Sequence, residues 1–267
     1  DCGASTELIA DRFGRFGFVS TPSTACSSAM NAILVGANLI RSGAFDIVVA
    51  GGSECLTRFH LNGFNALMIL DTQPCRPFDA TRAGLNLGEG AAYVVLERAA
   101  SARRRGVHAL ATLDGVANTC DAFHQTASSA DGEGAFRAMR GALADAGLDP
   151  SEVDYINAHG TGTPNNDASE SAAMLRLFGD RVPPVSSTKA FTGHTTSASG
   201  AIETVICLLA LRHGFLPVNL NWQHPMDNGI VPVRESRPPR EIRHVLCNSF
   251  GFGGNDSSLL LSKWQER

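Results

Sequence analysis

The feature that most constrains the fold is an alternation of apolar strand patterns with helical patterns that begins near residue 109. The sequence predicts strands at 109–117, 153–158, 184–188, 244–249 and 257–262, and helices at 133–146, 166–178 and 197–213. Helices between consecutive strands cover the faces of a sheet, so this order predicts a mostly parallel sheet in an α/β fold. In such folds the functional groups gather at strand ends, where loops converge.

The first hundred residues show the same pattern less completely. Apolar residues recur at helical spacing over 23–41, and Gly43 provides a stop for this buried helix. A β-branched run at 46–50 and a second apolar run at 91–96 predict strands. Residues 53–88 contain Pro and Gly but also many apolar side chains. We therefore expect this segment to pack against the fold rather than to act as a linker.

Charge, hydropathy and cysteine content narrow the functional classes. The 267 residues contain 22 Lys and Arg against 26 Asp and Glu, and the net charge of −4 argues against a nucleic-acid partner. The longest aliphatic run, 205–211, is far shorter than the roughly 20 residues of a membrane helix, so no membrane partner is expected. Seven cysteines without a CxxC pair fit reduced thiols and a cytoplasmic protein.

Cys26 is the candidate nucleophile. It lies in the sequence PSTACSSA at 22–29, in the first turn of the predicted helix. Unpaired N–H groups and the positive end of the helix dipole stabilise a thiolate at such a position. The alternative is a small buried thiol with only a packing role, which is the interpretation we keep for the other six cysteines.

Two histidines that follow predicted strands are candidate catalytic groups. His159 ends the strand at 153–158 and opens a Gly/Thr turn, and His194 follows the strand at 184–188 just before a helix. One helix and one strand separate them in sequence, so both are expected at the same sheet edge. Either histidine alone would fit a structural role, but two in matching positions, with a candidate nucleophile, indicate catalysis.

Two charged residues belong to the same segments. Lys189 lies in the loop that carries His194, and Glu170 lies on the helix after His159. A buried lysine requires a carboxylate partner, so we hypothesise that Lys189 pairs with Glu170. The alternative is that both are solvated surface charges.

The glycine-rich run at 250–254 is a candidate oxyanion site. It precedes no helix, which argues against a phosphate cradle, but its glycines allow backbone N–H groups to approach a ligand closely. Cys120 and His124 have the spacing of a metal-ligand pair, but no second pair accompanies them. We therefore expect no metal site.

Seven short motifs, taken in order, carry a resemblance to a known family. They are TACSS at 24–28, VAGGSE at 49–54, RPFD at 76–79, GEG at 88–90, NAHGTGT at 157–163, STKAFTGH at 187–194 and NSFGFGG at 248–254. In these motifs and their approximate spacing, nearly the whole chain resembles the β-ketoacyl-acyl-carrier-protein synthases. The resemblance implies the thiolase-like fold, layered α/β/α/β/α, with an incomplete N-terminal half at 1–105 carrying Cys26. Residues 106–267 would be the C-terminal half carrying both histidines.

The resemblance implies a decarboxylative Claisen condensation. Cys26 would hold an acyl group as a thioester. His159 and His194 would stabilise the enolate that forms when malonyl-acyl carrier protein loses CO₂, and this enolate would attack the thioester. The pathway would be fatty-acid or polyketide/polyene biosynthesis.

Other site residues are also implied by the resemblance. The backbone N–H groups of Cys26 and Phe252 would form the oxyanion hole, and Phe252 would act as a gate. Lys189 with Glu170 would hold the histidines in place. The implied substrate-binding residues are Thr161 and Thr163, which would line the phosphopantetheine tunnel, and Phe250 and Gly251.

The implied partner is an acyl carrier protein, whose phosphopantetheine carries the substrates, so no resident cofactor is expected. The protein would form a homodimer or a ketosynthase heterodimer. Arg12, Arg15 and Arg58 are candidate contacts for an acidic carrier protein, although exposed arginines are usually only solvated.

Two departures from the family pattern have consequences. Cys26 falls near the start of the sequence, where the family has most of an N-terminal half before it, so this chain is not expected to be a complete enzyme alone. Residues 253–256 are GGND where GGTN is usual, which implies different hydrogen bonding after the glycine loop.

Three other classes share some of these features. Non-catalytic chain-length subunits of heterodimeric ketosynthases keep the fold but generally lack the cysteine. Thiolases are expected to use a second cysteine near the C-terminus, where this sequence has Phe252. Cysteine proteases also use Cys and His, but the motifs do not fit them. The chain-length subunit is the alternative that we retain.

Overall fold

The computed structural model describes residues 2–14, 16–238 and 240–265. Its helices are α1 (Ala4–Phe13), α2 (Ser28–Arg41), α3 (Arg58–Ala66), α4 (Ala99–Arg104), α5 (Glu133–Ala146), α6 (Pro164–Phe178), α7 (Lys189–Thr192) and α8 (Ser199–His213). Its strands are β1 (Ile47–Glu54), β2 (Gly90–Glu97), β3 (Ala111–Cys120), β4 (Tyr155–Asn157), β5 (Val185–Ser186), β6 (His244–Gly251) and β7 (Asn255–Lys263). The alternation predicted from residue 109 onward is present in the predicted order.

The main sheet is mixed rather than mostly parallel. Its strand order is β3-β7-β6-β4-β5, in which β4 runs parallel to both β5 and β6. The pairings of β7 with β6 and with β3 are antiparallel. The prediction of a mostly parallel sheet is therefore wrong for this edge. Only three residues, 252–254, join β6 to β7, and a parallel crossover needs a dozen or more.

Helices and strands form successive layers. Helices α5 and α6 cover one face of the main sheet, where Met139, Met174 and Leu246 are buried together. Helices α2 and α8 cover the other face and separate it from a second sheet, the antiparallel pair β1–β2. Helix α8 is apolar on all sides because it lies between two sheets. The described residues thus build four successive layers, α/β/α/β.

Several local predictions needed correction. Helix α2 begins at Ser28 rather than at 23, because residues 24–27 form a tight turn in which Ala25 has a φ of 52°. The segment at 53–88 packs against the fold at Cys75, Phe78 and Leu85, which are buried, but its helix α3 has no buried residue. By contrast, α5 matches the predicted range at both ends.

Among the described residues, no helix combines the length and the apolar character that crossing a membrane requires.

Candidate active site

Cys26 lies in the tight turn that precedes α2. Its side chain is buried, with 5% of the residue exposed. Ser28 closes the turn, because its hydroxyl accepts from the Thr24 N–H group at 2.9 Å and donates to the Ala25 carbonyl at 2.6 Å. The cysteine is therefore two residues ahead of the helix rather than inside its first turn.

The groups around Cys26 have opposite effects on the pKa of its thiol. Burial raises the pKa of the thiol to about 11, although the Lys189 charge and the backbone N–H groups of Phe252 and Cys26 lower it. The expectation that this position stabilises a thiolate is therefore wrong, because desolvation outweighs the Lys189 charge and the two backbone N–H groups. The sulfur must lose its proton before it can attack. The same two N–H groups are the ones that the resemblance assigns to an oxyanion hole.

The end of strand β6 joins the Cys26 turn to the histidines. The Ser249 hydroxyl donates to the Cys26 carbonyl at 3.0 Å, and the ring of the next residue, Phe250, lies 5.7 Å from the His159 ring. Gly251 then packs against the turn so closely that a Cβ there would lie 2.6 Å from the Thr24 carbonyl oxygen. Two consecutive residues of one strand thus touch the nucleophile turn and the first histidine.

His159 and His194 form a buried pair. Their ring centroids are 5.3 Å apart with an interplanar angle of 82°. Burial, together with the positive charge of Lys189, holds the pKa of each imidazole well below its usual range, so both are neutral near pH 7. Lys189 Nζ lies 3.4 Å from His159 Nδ1. An ammonium only donates, so Nδ1 accepts and the proton of His159 resides on Nε2.

The carboxylate partner of Lys189 is Glu203 on α8, not Glu170. Lys189 Nζ forms an ion pair with Glu203 Oε1, and both residues are 1% exposed. Burial raises the pKa of Glu203 to about 7 even though the lysine charge lowers it. The hypothesis that Lys189 pairs with Glu170 is therefore wrong. The signal missed in the sequence is a single carboxylate within an otherwise apolar helix, AIETVICLLAL at 201–211.

Glu170 instead holds the loop that carries His159. Its carboxylate accepts hydrogen bonds from the His159 N–H group at 2.9 Å and the Gly160 N–H group at 2.8 Å. Asn248 Nδ2 donates to the same carboxylate at 3.1 Å. Burial raises the pKa of Glu170, while these hydrogen bonds lower it. Glu170 thus fixes the backbone of the histidine loop and links it to β6.

Thr161 and Thr163 lie in the turn between His159 and α6. Their hydroxyls are 2.8 Å apart, and Thr163 also caps α6 by accepting from the Asn166 N–H group. Thr161 is buried. Among the described residues, a large cavity opens at Cys26, and its lining does not include Thr161, Thr163, His159 or His194. The tunnel role of these threonines stays a prediction.

A cavity of about 970 Å³ opens at Cys26. Its walls are mainly apolar and include Phe16, Phe18 and Phe64, and Phe252 lies beside Cys26 in the lining. The Phe252 ring is half-buried and stacks on Phe64 with centroids 6.1 Å apart. Phe252 therefore stands where a movement of its ring would change access to the sulfur.

Asp256 is a buried carboxylate just after the glycine loop. A Cβ built on Gly134 would lie 2.0 Å from Asp256 Oδ2 and 2.7 Å from Asp121 Cβ, so the two acidic side chains converge on this glycine. Burial, followed by the charges of Asp121 and Glu170, raises the pKa of Asp256 to about 7. The folded state therefore binds a proton here more strongly than the unfolded chain does, and stability falls as the pH rises from about 4 to about 7.

Asp256→Asn is expected to remove this pH dependence. Near pH 8 the variant should exceed the wild type in free energy of unfolding by roughly 1 to 4 kcal/mol, because no buried charge remains. Near pH 4 the difference should vanish, because the wild-type carboxyl is then protonated in the folded state. Urea unfolding at both pH values measures this, with the exposed Asp180→Asn as control. A stability difference of equal size at both pH values would show that a raised pKa of Asp256 is not the cause.

The arginines predicted to contact a carrier protein lie on two different helices. Arg12 is exposed in the last turn of α1, and Arg58 is exposed at the start of α3. Arg15 lies outside the described residues. Their role stays a prediction.

Two descriptions of one protein family match this chain. The family description "Beta-ketoacyl synthase, N-terminal domain" matches residues 4–102, and "Beta-ketoacyl synthase, C-terminal domain" matches residues 110–223. The 3-oxoacyl-[acyl-carrier-protein] synthase 2 of Rhizobium meliloti (strain 1021) is 44% identical over 252 residues, which are 90% of this chain and 60% of that protein.

Two solved structures share the fold. The ishigamide ketosynthase/chain length factor matches with a TM-score of 0.94 and 35% identity, over 99% of this chain and 66% of that one. A type II PKS acyl-carrier protein in complex with its ketosynthase matches with a TM-score of 0.94 and 32% identity, over 99% and 67%. The fold is thus of the thiolase-like type.

The chain belongs to the β-ketoacyl synthase family. It spans about three fifths of the length of the curated relatives that it matches. The family resemblance and the α/β fold class predicted from the sequence are confirmed.

Proposed function

We propose that the protein catalyses decarboxylative Claisen condensation of malonyl-acyl carrier protein with an acyl group held as a thioester on Cys26. The pathway is fatty-acid or polyketide/polyene biosynthesis. The observation that supports this most directly is a buried sulfur faced by two backbone N–H groups, whose turn is linked through Ser249 and Phe250 of β6 to a neutral imidazole pair.

The first half-reaction is acyl transfer. The Cys26 sulfur attacks the carbonyl carbon of the acyl carrier thioester, the old C–S bond breaks, and the carrier thiol leaves with a proton. Because the free thiol has a raised pKa, a neutral imidazole of the pair has to accept its proton first. The Phe252 and Cys26 N–H groups, which face the sulfur, stabilise the tetrahedral oxyanion.

The second half-reaction is decarboxylation and condensation. The N–H groups of His159 and His194 bind the malonyl thioester carbonyl, CO₂ leaves, and the electron pair of the broken C–C bond forms an enolate. The enolate carbon attacks the Cys26 thioester and expels the thiolate, which regains a proton. Neutral imidazoles suit this step because they stabilise the enolate oxygen without the acidity to protonate the carbon.

Supporting residues position these groups. Lys189 donates to His159 Nδ1 and keeps the Nε2–H tautomer, and Glu170 holds the His159 loop by its backbone. Phe252 gates the cavity. Thr161 and Thr163, with Phe250 and Gly251, contact the phosphopantetheine arm or the acyl group.

The proposed partner is an acyl carrier protein, with Arg12 and Arg58 as exposed contacts for its acidic surface. Solved relatives include a ketosynthase with its acyl-carrier protein and a ketosynthase with its chain length factor, which support a carrier partner and a heterodimer. A homodimer is the alternative assembly. The substrates bring their own phosphopantetheine, so we propose no resident cofactor. The seven free cysteines support a cytoplasmic location.

Two assays on the full-length protein test the proposal. One measures release of CO₂ from malonyl-acyl carrier protein, and the other measures condensation of malonyl-acyl carrier protein with acyl donors of graded length. His159→Ala and His194→Ala are each expected to lower decarboxylation about 100- to 10,000-fold. Urea unfolding of both variants serves as the folding control, and each should keep a cooperative transition.

Absence of both CO₂ release and condensation in the wild type would overturn the proposal. It would instead favour a non-catalytic chain-length subunit, provided that the protein binds a catalytic ketosynthase partner.

A further inference from the structure

The amide oxygen of Asn255 joins two parts of the site. Ser27 Oγ donates to it at 2.9 Å and Asn31 Nδ2 at 2.8 Å, both from the α2 side, while Asn118 Nδ2 of β3 donates at 2.7 Å. One oxygen thus lies within hydrogen-bond distance of three donors, and the single Ser27 proton is shared between Asn255 Oδ1 and the Thr24 carbonyl oxygen. Ser27 is the residue after Cys26, and Asn255 is three residues after Phe252. This contact therefore connects the turn at 24–27 to the hairpin formed by β6 and β7.

The donors have further partners, so the network is closed. Ser27 Oγ lies 2.8 Å from the Thr24 carbonyl oxygen, and Asn31 Nδ2 lies 2.8 Å from Thr24 Oγ1. Ser257 Oγ donates to Asn31 Oδ1 at 3.0 Å, which orients the Asn31 amide so that its NH₂ group faces Asn255. The residues on both sides of Cys26 are therefore tied to strand β7 through Asn255.

We infer that Asn255 is a positioning residue that holds the Cys26 turn and the Phe252 N–H group in register with each other. The inference rests on the proposed function, because it assigns Asn255 to acyl transfer onto Cys26. Without the acceptor, the β7 side of the hairpin loses its tie to the turn, leaving only the contacts of Ser249 and Gly251 from β6, and the Phe252 N–H group moves away from the sulfur. The histidines have separate supports in Lys189 and Glu170, so decarboxylation does not depend on this contact.

Threonine and valine provide a matched pair of substitutions. They have nearly the same shape, and both are β-branched and suited to a strand. Only threonine keeps an oxygen that accepts hydrogen bonds. Threonine is also the residue usual at this place in the family motif. A difference between Asn255→Thr and Asn255→Val therefore reports the acceptor and not the fit of the side chain.

Three measurements on each variant test the inference: alkylation of Cys26 by iodoacetamide across pH, acylation of Cys26 by acyl carrier protein, and malonyl decarboxylation. Asn255→Val is expected to slow acylation about 10- to 100-fold, because small misplacements of reacting groups have effects of this size. Its alkylation profile should shift to higher pH, while decarboxylation stays unchanged. Asn255→Thr should retain most of the acylation rate and the wild-type profile.

Two controls accompany the pair. Asn38 is exposed on α2, and Asn38→Val, which changes helix propensity little, should leave all three measurements unchanged. Alkylation of the exposed Cys55 in the same samples is an internal reference. If Asn255→Val does not fold, Ser27→Ala removes one donor from the other side of the contact and should shift the profile in the same direction by less.

Equal behaviour of the threonine and valine variants would overturn the inference, as would a parallel fall of acylation and decarboxylation. Failure of the proposed function is a separate outcome, seen as a wild type that neither acylates nor decarboxylates. The alkylation profiles still decide in that case: a shift in the valine variant alone supports the role of Asn255, and identical profiles refute it.

Discussion

Cys26→Gln is expected to abolish condensation, by at least about 1,000-fold, while malonyl decarboxylation continues. Glutamine has no nucleophile, so no acyl thioester forms. Its amide oxygen can accept from the Phe252 and Cys26-position N–H groups, which face the sulfur in the native protein. The variant therefore fills the site approximately as an acylated cysteine would. The histidine pair keeps its own supports from Lys189 and Glu170 and can still stabilise the enolate.

CO₂ release and condensation product, measured on the same samples, separate the two half-reactions. Cys120→Ser is the matched control, because Cys120 is an exposed cysteine whose sulfur lies 3.7 Å from the Gly253 carbonyl oxygen. It should keep both activities. A Cys26→Gln variant that still condenses would remove the nucleophile assignment. A Cys26→Gln variant that loses decarboxylation together with condensation would contradict the proposal that Cys26 carries the acyl group while His159 and His194 support decarboxylation.

The parts of the site that sequence could identify are those encoded by local pattern. His159 and His194 each follow a short apolar strand, and the parallel pairing of β4 and β5 brings the ends of those strands together. This juxtaposition was predictable because parallel neighbours end at the same sheet edge. Cys26 was identifiable from its motif, although the tight turn with Ala25 at positive φ moved the helix start to Ser28.

The parts that sequence could not supply depend on packing between distant segments. Glu203 of α8 is the partner of Lys189 of α7 only because the fold brings the two side chains together, and no spacing rule connects them in advance. The raised pKa of Cys26 arises from burial, which the helix-terminus argument did not weigh. The network at Asn255 joins residues 224 and 228 positions apart, so it exists only once the fold is formed.

Lys189→Met is expected to lower the free energy of unfolding by about 3 to 5 kcal/mol, because it leaves the Glu203 carboxylate buried without its partner. Both residues are 1% exposed, so water cannot replace the lost ammonium. Glu203 Oε2 already has no hydrogen-bond partner among the described residues, which leaves Lys189 as the main compensation for this charge. The same substitution removes the hydrogen bond to His159 Nδ1, so decarboxylation should fall as well.

The double variant Lys189→Met with Glu203→Gln separates these two effects. A neutral glutamine no longer needs an ammonium, so most of the lost stability should return in urea unfolding. Decarboxylation should stay low, because nothing then donates to His159 Nδ1 and its tautomer is no longer fixed. Arg137→Met, which breaks the exposed pair of Arg137 with Glu133, should change stability little and activity not at all. If the double variant regained decarboxylation along with stability, Lys189 would serve only to neutralise Glu203, and its role in orienting His159 would be refuted.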